Sequence, residues 1–128
     1  MRSDTIKRIL FVLLLINISS IGSVYAQSKK KDDFKKASRK IETGFNDSNP
    51  DSLAQGYYDM GNNYYKQGQL EKSEDYYKKA KDVYAKKKDP AGIAKSSRAL
   101  AIVQEDLNKK KEAQSNYATA SGYTVITG

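Results

Sequence analysis

The residues of this chain that could do chemistry are carboxylates, serines and amines, because the sequence holds no histidine and no cysteine. Their absence removes the commonest general base, the thiolate nucleophile and most kinds of zinc site. Glu71, Glu74 and Asp75 lie close together, and Glu105 is followed by Asp106. Paired carboxylates cleave glycosidic bonds when they face each other across a cleft. These acids stand among lysines on predicted helices, so we expect them on solvated helix surfaces.

A serine nucleophile beside an amine is the second chemical possibility. Ser96 and Ser97 stand between Lys95 and Arg98, but nothing in the sequence around them marks a strained nucleophile turn or an oxyanion site. The sequence also has no glycine-rich phosphate loop. We therefore predict that the chain is not an enzyme and uses no cofactor and no metal.

Tyrosine is the side chain whose pattern favours binding. Ten tyrosines occur, and six of them form adjacent pairs. Neighbouring residues of a helix point about 100° apart, so one tyrosine of a pair can pack inward while the other faces a groove. Tyrosine buries a large area and still offers a hydrogen bond, which suits an interface. The pairs are Tyr57-Tyr58, Tyr64-Tyr65 and Tyr76-Tyr77.

The elements that position these tyrosines repeat once, at an offset of 40 residues. A period in this range is typical of repeat arrays, in which each unit buries its apolar face against its neighbours. Each unit reads as two helices, with Asn49-Pro50 or Asp89-Pro90 at the start. Gly68 and Asn108 stand where the first helix of each unit should end in left-handed geometry. The matched pairs are Pro50 with Pro90, Ala54 with Ala94, Tyr77 with Tyr117, and Ala80 with Ala120.

The period and the composition divide the chain into six segments. An apolar stripe, Phe34, Ala37, Ile41 and Phe45, predicts one further helix before the first repeat. Gly122 and the β-branched residues after it do not favour a continued helix. The predicted segments are a signal peptide at 1–26, a charged tether at 27–33, a lone capping or half-repeat helix at 34–48, a first repeat at 49–88, a second repeat at 89–122 and an irregular tail at 123–128.

Residues 49–122 resemble the tetratricopeptide repeat family. The resemblance rests on small residues at fixed places, with bulky side chains between them. Ser97, Gln104 and Lys110 depart from the family pattern, where larger apolar residues are expected. The residues that fit are Tyr57, Met60, Gly61, Tyr64, Ser73, Tyr77 and Ala80 in the first repeat, and Leu100, Ala101, Ala113, Tyr117 and Ala120 in the second.

The resemblance implies an all-α fold of about two and a half units in a short right-handed superhelical array. It also implies that the first helices of successive units line a concave face that binds a protein or peptide. The asparagine of the family's carboxylate clamp is matched by Asn62, but its lysine partner is replaced by Tyr58, so that clamp is not expected. The residues that this implies for the concave face are Gln55, Tyr58, Asn62, Tyr65, Lys66, Lys95, Arg98 and Ile102.

The 40-residue period also resembles repeats in the exported sensory regions of some sensor histidine kinases. The turn from Lys88 to Ala94 resembles the turn between their repeats. This resemblance implies an alternative function, in which the chain is a truncated periplasmic input domain of a membrane signalling protein.

The N-terminus predicts export. Arg2, Lys7 and Arg8 precede an apolar run over 9–16, and Val24-Tyr25-Ala26 fits a signal peptidase site before Gln27. The alternative is an uncleaved membrane anchor, although polar residues interrupt the second half of the segment. Cleavage removes three of the 23 basic residues and one of the 15 acidic ones, and leaves 20 against 14, a net charge of +6. We expect a periplasmic or secreted protein with no membrane span after cleavage.

The remaining lysines cluster at predicted helix ends, where they complement the helix dipole, so we expect no nucleic-acid partner. Repeat arrays generally need about three units and a polar capping helix. No such helix is evident after the second repeat, so we expect that a partner or a second copy covers this side, or that the chain is part of a longer protein.

Overall fold

The computed structural model describes residues 2–127, apart from the side chains at positions 19 and 124–127. The helices are α1 (Arg2–Asn46), α2 (Pro50–Lys66), α3 (Leu70–Lys86), α4 (Pro90–Asp106) and α5 (Lys110–Thr127), and these residues include no strand. The chain divides into two compact units, residues up to 32 and residues from 33 onward. The all-α repeat fold expected from the sequence is confirmed.

The first unit consists of the N-terminal part of α1. This helix contains an 18-residue window of mean hydropathy 2.1, none of which is buried. Its length and apolar character suffice to cross a membrane, and signal sequences share these properties. The finding is therefore compatible with a cleaved signal peptide and with an uncleaved membrane anchor.

The turns between helices share one geometry and recur every 20 residues. Ser48, Gly68, Lys88 and Asn108 adopt positive φ angles of 48°, 72°, 56° and 59°. The next residue then donates its N–H to a carbonyl five positions back, as from Gln69 to Tyr64 at 3.0 Å. This is the Schellman arrangement that closes a helix C-terminus. The left-handed geometry expected at Gly68 and Asn108 is confirmed, and Ser48 and Lys88 adopt it as well.

The first helix of each repeat begins at a capped proline, as predicted. Oδ1 of Asn49 accepts hydrogen bonds from the N–H groups of Asp51 and Ser52, both at 3.1 Å. Oδ1 of Asp89 accepts one from Gly92 at 3.0 Å. These bonds satisfy backbone donors that the first helical turn leaves without partners.

Two helices are longer than the sequence pattern predicted. Residues 27–33, expected as a tether, lie within α1, and residues 123–127 of the expected irregular tail lie within α5. No glycine or proline interrupts residues 27–43, and lysine is a good helix former. Gly122 costs a helix about 1 kcal/mol relative to alanine, which lowers helix propensity without forbidding the helix.

In the second unit, each helix packs on the next one in the chain. Gly44 lies against Leu53 and Gly56 against Ile41, so the end of α1 closely approaches α2. The ring of Tyr77 from α3 lies against Gly61 of α2. Two clusters form the core: one of Ala54, Ala80, Tyr84 and Ile93, and one of Tyr77, Ala99, Leu100 and Val103.

Candidate functional site

An open groove of about 560 Å³ lies chiefly between α2 and α4. Aromatic residues and small apolar residues form most of its lining, and two cations, Lys95 and Arg98, contribute to one side. The lining residues are Tyr58, Asn62, Tyr65, Tyr77, Ala91, Ala94, Lys95, Arg98, Ala99, Ile102, Val103 and Ala120. We refer to this surface as the groove.

The structure brings most of the predicted concave-face residues together in this groove. Six of the eight line it, namely Tyr58, Asn62, Tyr65, Lys95, Arg98 and Ile102. Gln55 lies beside them, because Nζ of Lys95 donates a 3.3 Å hydrogen bond to its Oε1. Lys66 lines a neighbouring cavity instead. That these residues bind a partner stays a prediction.

The floor of the groove is a pair of packed tyrosines, and a hydrogen bond holds the hydroxyl of one of them, Tyr77. The rings of Tyr58 and Tyr77 lie 5.3 Å apart between centroids. The Tyr77 hydroxyl donates a 2.7 Å hydrogen bond to Oδ1 of Asn62. Burial raises the pKa of both tyrosines, and the charge of Asp59 adds to the rise at Tyr58. The floor therefore presents neutral phenols at physiological pH.

The C-terminal end of the groove is held by a bond between the two repeats. The Tyr65 hydroxyl of α2 donates a 2.7 Å hydrogen bond to Oδ2 of Asp106, which follows the groove-lining turn of α4. This bond, together with burial and the charge of Asp106, raises the pKa of Tyr65. Tyr65 is thus both a lining residue and a link between α2 and α4.

The α4 side of the groove carries an exposed apolar side chain between polar ones. Ile102 is 40% exposed, and it is the exposed large apolar side chain of α4. Nζ of Lys95 lies 4.0 Å from the centroid of the Tyr58 ring. Within the part of the chain that the structure describes, the guanidinium of Arg98 forms no ion pair and no hydrogen bond. Arg98 is thus a cation that can bind an external acceptor.

The tyrosine pairs divide between the groove and a second aromatic row. Tyr58 and Tyr65 line the groove, whereas Tyr57 and Tyr64 pack on the side where α1 and α3 meet α2. Tyr76 stacks on Tyr64 with ring centroids 5.4 Å apart. The row is completed by Phe34, Phe45, Lys72 and Lys79.

A second, more polar cavity of about 430 Å³ lies between α1 and α2. Asn62 lines both this cavity and the groove, so the two surfaces are continuous. Sequence reasoning missed the contribution of α1, although Lys36, Arg39 and Lys40 follow a helical spacing of i, i+3 and i+4. We call this surface the basic cavity, and its lining is Asp33, Lys36, Arg39, Lys40, Asp59, Asn62, Asn63 and Lys66.

A family model described as "Tetratricopeptide repeat" matches residues 52–121, more than half of the chain. The chain belongs to the tetratricopeptide repeat family. No match was found among the curated proteins or among the solved structures. Members of this family generally serve as protein-interaction scaffolds, which agrees with the lining of the groove.

One departure from the tetratricopeptide pattern has a structural explanation in a buried polar network. Glu74, expected on a solvated surface, is only 4% exposed, so that expectation is wrong. Gln104, which replaces an apolar residue of the family pattern, donates a 3.0 Å hydrogen bond from Nε2 to Oε1 of Glu74. Lys109 donates to Oε2 of Glu74 at 2.6 Å, and Asn116 donates to Oε1 of Gln104 at 2.8 Å.

This network keeps Glu74 ionised although it is buried. Burial alone would raise the pKa of Glu74, but hydrogen bonds from Lys109, Gln104 and Lys78 outweigh it and lower the pKa to about 2. Both carboxylate oxygens of Glu74 accept hydrogen bonds, as a buried charge requires. The network joins α3, α4 and α5 of this tetratricopeptide chain, and we assign it a structural role.

The serines between Lys95 and Arg98 lie inside the array. Ser96 and Ser97 are fully buried, and their hydroxyls have no hydrogen-bond partner among the described residues. They do not face the groove, and within residues 2–127 no group of three or more acidic residues is placed to hold a metal ion. The departure from the family pattern at Ser97 therefore lies at a buried position outside the groove lining.

Proposed function

We propose that this chain is an exported scaffold that binds a segment of a partner protein in the groove between α2 and α4. The observation that carries this proposal is the combination of a preformed aromatic floor, an exposed Ile102 and an exposed Arg98 in one cleft. Preformed surfaces lose little conformational freedom on binding, so more of the contact energy appears as affinity.

The side-chain types of the groove support a protein or peptide partner. Tyrosine and arginine dominate binding energy at protein interfaces, because they bury area and also form hydrogen bonds. The ring of Tyr58 packs on Tyr77 and under Lys95, so it is held in place before a partner arrives. The open groove suits either an extended peptide or one face of a helix.

The proposal includes no catalytic step and no cofactor. The groove lining offers phenols, an amide, an amine and a guanidinium, and the sequence supplies no histidine or cysteine. The buried carboxylate of Glu74 is held by three donors and does not line the groove. These groups suit recognition better than proton transfer or nucleophilic attack.

Export is the second part of the proposal. The apolar run at 9–16 and the small residues before Gln27 support cleavage between Ala26 and Gln27. Cleavage there leaves every residue of the groove and of the basic cavity in the mature chain. We place the mature protein in the periplasm or outside the cell, with no membrane span of its own.

The alternative is an input domain of a membrane signalling protein. It is supported by the 40-residue period and by the turn from Lys88 to Ala94. In that case the same groove would receive the signal as a bound segment. A kinase region and a second apolar span encoded in the same reading frame would favour this alternative over an independent scaffold.

Self-association through the last repeat stays a prediction, and the surface of α5 bears on it. The exposed side chains of α5 up to Tyr123 are polar or small: Lys110, Lys111, Glu112, Gln114, Ser115, Ala118 and Ser121. A stable contact between copies usually buries an apolar centre. We therefore propose that one copy is enough to form the binding groove.

The proposal is tested by selecting a library of random dodecapeptides, displayed on phage, against the purified chain. The groove variant combines Arg98→Ala with Ile102→Ala, two exposed changes that spare the core. The control variant combines Lys111→Ala with Gln114→Ala on the exposed side of α5. We expect peptides that bind the wild-type and control chains but not the groove variant. Failure to enrich any such peptide would overturn the proposed function.

A further inference from the structure

We propose that the partner segment is acidic and carries an apolar side chain, with the apolar residue seated in the groove and carboxylates bound by Arg98 and by the basic cavity. This inference rests on the proposed function and adds the chemistry of the partner. Cations that form no ion pair within the described residues lie around both surfaces.

The first observation is the charge of the groove itself. Its lining includes two cations, Lys95 and Arg98, and no carboxylate. Lys95 already contacts the Tyr58 ring and Gln55, whereas Arg98 has no ion-pair partner within the described residues. A carboxylate of the partner would give Arg98 a charge-assisted hydrogen bond, the stronger kind available to it.

The second observation is the excess of cations in the basic cavity. Four cations and two carboxylates line it. Asp59 is already engaged, because it pairs with Nζ of Lys40 at 2.6 Å and accepts a hydrogen bond from Gln55 at 2.7 Å. Lys36, Arg39 and Lys66 form no ion pair within 4.0 Å in the part of the chain that the structure describes. Asp33 is the remaining carboxylate against these three cations.

The nearby acids restrict where the carboxylates of the partner can lie. Asp106 accepts a hydrogen bond from Tyr65, and Glu105 accepts one from Tyr117 at 2.7 Å. Both acids are at the C-terminal end of α4, whereas Arg98 is two turns closer to its start. Like charges repel, so the acidic residues of the partner should cross α4 near Arg98 rather than near Asp106.

The geometry of packed helices gives the spacing of the partner's residues. Neighbouring helix axes lie about 8–10 Å apart, and an extended peptide advances about 3.3 Å per residue. Moving from the groove to the adjoining basic cavity therefore takes about three residues. We expect an apolar residue with acidic residues about three positions away on either side.

The test selects the same random dodecapeptide library against the expressed full-length chain. The chain is purified as the cell processes it, whether or not the N-terminal segment is cleaved. We expect the enriched peptides to hold more aspartate and glutamate than the input library, around an apolar residue. An enriched peptide should bind more weakly as salt rises, because salt screens exposed charges. Enriched peptides with no acidic bias would overturn this inference while leaving the proposed function intact.

Charge-neutralising variants then locate the acidic contacts on the structure. Arg98→Gln and Arg39→Gln should each weaken binding of the enriched peptide by about two- to fivefold, as for exposed ion pairs. Lys111→Gln removes the same charge on the exposed side of α5 and should leave binding unchanged. Equal effects of Arg98→Gln, Arg39→Gln and Lys111→Gln would mean that net charge alone attracts the peptide, and would overturn the inference.

A competition experiment separates this partner from a nucleic acid. The fluorescein-labelled peptide is displaced either with an unlabelled copy or with a single-stranded oligothymidylate of matched charge. We expect the unlabelled peptide to compete and the oligonucleotide to compete at least tenfold more weakly. Stronger competition by the oligonucleotide would reject an acidic peptide in favour of a polyphosphate ligand.

Discussion

The phenol hydroxyl of Tyr77 donates a 2.7 Å hydrogen bond to Oδ1 of Asn62, across the interface between α3 and α2. This bond fixes the orientation of the amide, so that its Nδ2–H groups are the donors available to a partner. The ring of Tyr77 also lies against Gly61 in the core. A single residue of α3 thus connects the packing of the first repeat to the orientation of an amide in the groove.

Removing this hydroxyl should affect both stability and binding. For Tyr77→Phe we expect the free energy of unfolding to fall by up to about 1 kcal/mol, because a part-buried amide oxygen loses its donor. Peptide binding should weaken as well, since Asn62 is no longer fixed. Urea unfolding followed by circular dichroism measures the first effect, and fluorescence anisotropy measures the second. Tyr76→Phe is the control, because no hydrogen bond of its hydroxyl occurs within residues 2–127. Equal losses for the two variants would contradict the assignment.

The Glu74 network should make stability depend on acid pH. The folded state holds the pKa of Glu74 at about 2, below its ordinary value of 4.5. The lowered value means that this contribution to stability is fully present above pH 4.5 and is lost as pH falls toward 2. A pKa shift of this size corresponds to a contribution of about 3 kcal/mol at most to the free energy of unfolding.

The pH dependence is checked by urea unfolding at a series of pH values between 2 and 7. We expect the wild-type chain to lose stability over this range and Glu74→Gln to show a flatter profile from a lower starting stability. The variant cannot ionise at this position and leaves Lys109 without its buried partner. An identical slope for both chains would show that other carboxylates cause the acid sensitivity.

Two buried serines, one with and one without a hydrogen-bond partner among the described residues, should respond differently to alanine. The hydroxyl of Ser73 donates a 2.9 Å hydrogen bond to the carbonyl of Gly61, and Ser73→Ala should cost about 1 kcal/mol. The hydroxyl of Ser97 has no hydrogen-bond partner in the part of the chain that the structure describes, so Ser97→Ala should be neutral or should stabilise the chain by up to about 1 kcal/mol. Thermal unfolding of the two variants decides this, and a marked loss at Ser97 would indicate a hydrogen bond at that hydroxyl.

Alanine substitutions at two helical glycines, Gly61 and Gly122, should change stability in opposite directions. A Cβ at Gly61 would lie 2.6 Å from the Tyr77 ring, whereas a Cβ at Gly122 would meet nothing within 4 Å. Gly61→Ala should destabilise the chain by about 1–3 kcal/mol through overpacking. Gly122→Ala should stabilise it by up to about 1 kcal/mol, because alanine favours helix. Urea unfolding measures both changes, and a stable Gly61→Ala chain would mean that α2 and α3 pack less closely than described.

The helices and their turns could be predicted from the sequence because each is marked locally. Asn49 and Asp89 cap helices by their side chains, and Gly68 and Asn108 tolerate left-handed geometry at low cost. Lys88 and Ser48 adopt the same left-handed geometry although their residue types do not favour it. The Schellman bonds and the packing of the helices on either side impose it. The fold therefore followed from periodicity, and the details of two turns did not.

The site was predictable to the extent that it depends on helix faces. The alternation of Tyr57-Tyr58 and Tyr64-Tyr65 placed one tyrosine of each pair on the groove side. The burial of Glu74 was not predictable, because it depends on Gln104 and Lys109 from other helices. The basic cavity was missed for the same reason, since Lys36 and Arg39 reach it only when α1 packs on α2.

The most direct test of the groove as the binding surface is an NMR titration of an enriched peptide into the nitrogen-15-labelled chain. We predict that the shifted backbone amides cluster at Tyr58, Asn62, Lys95, Arg98 and Ile102. Shifts concentrated instead on the aromatic row of Tyr57, Tyr64 and Tyr76, or on the exposed side of α5, would contradict the account.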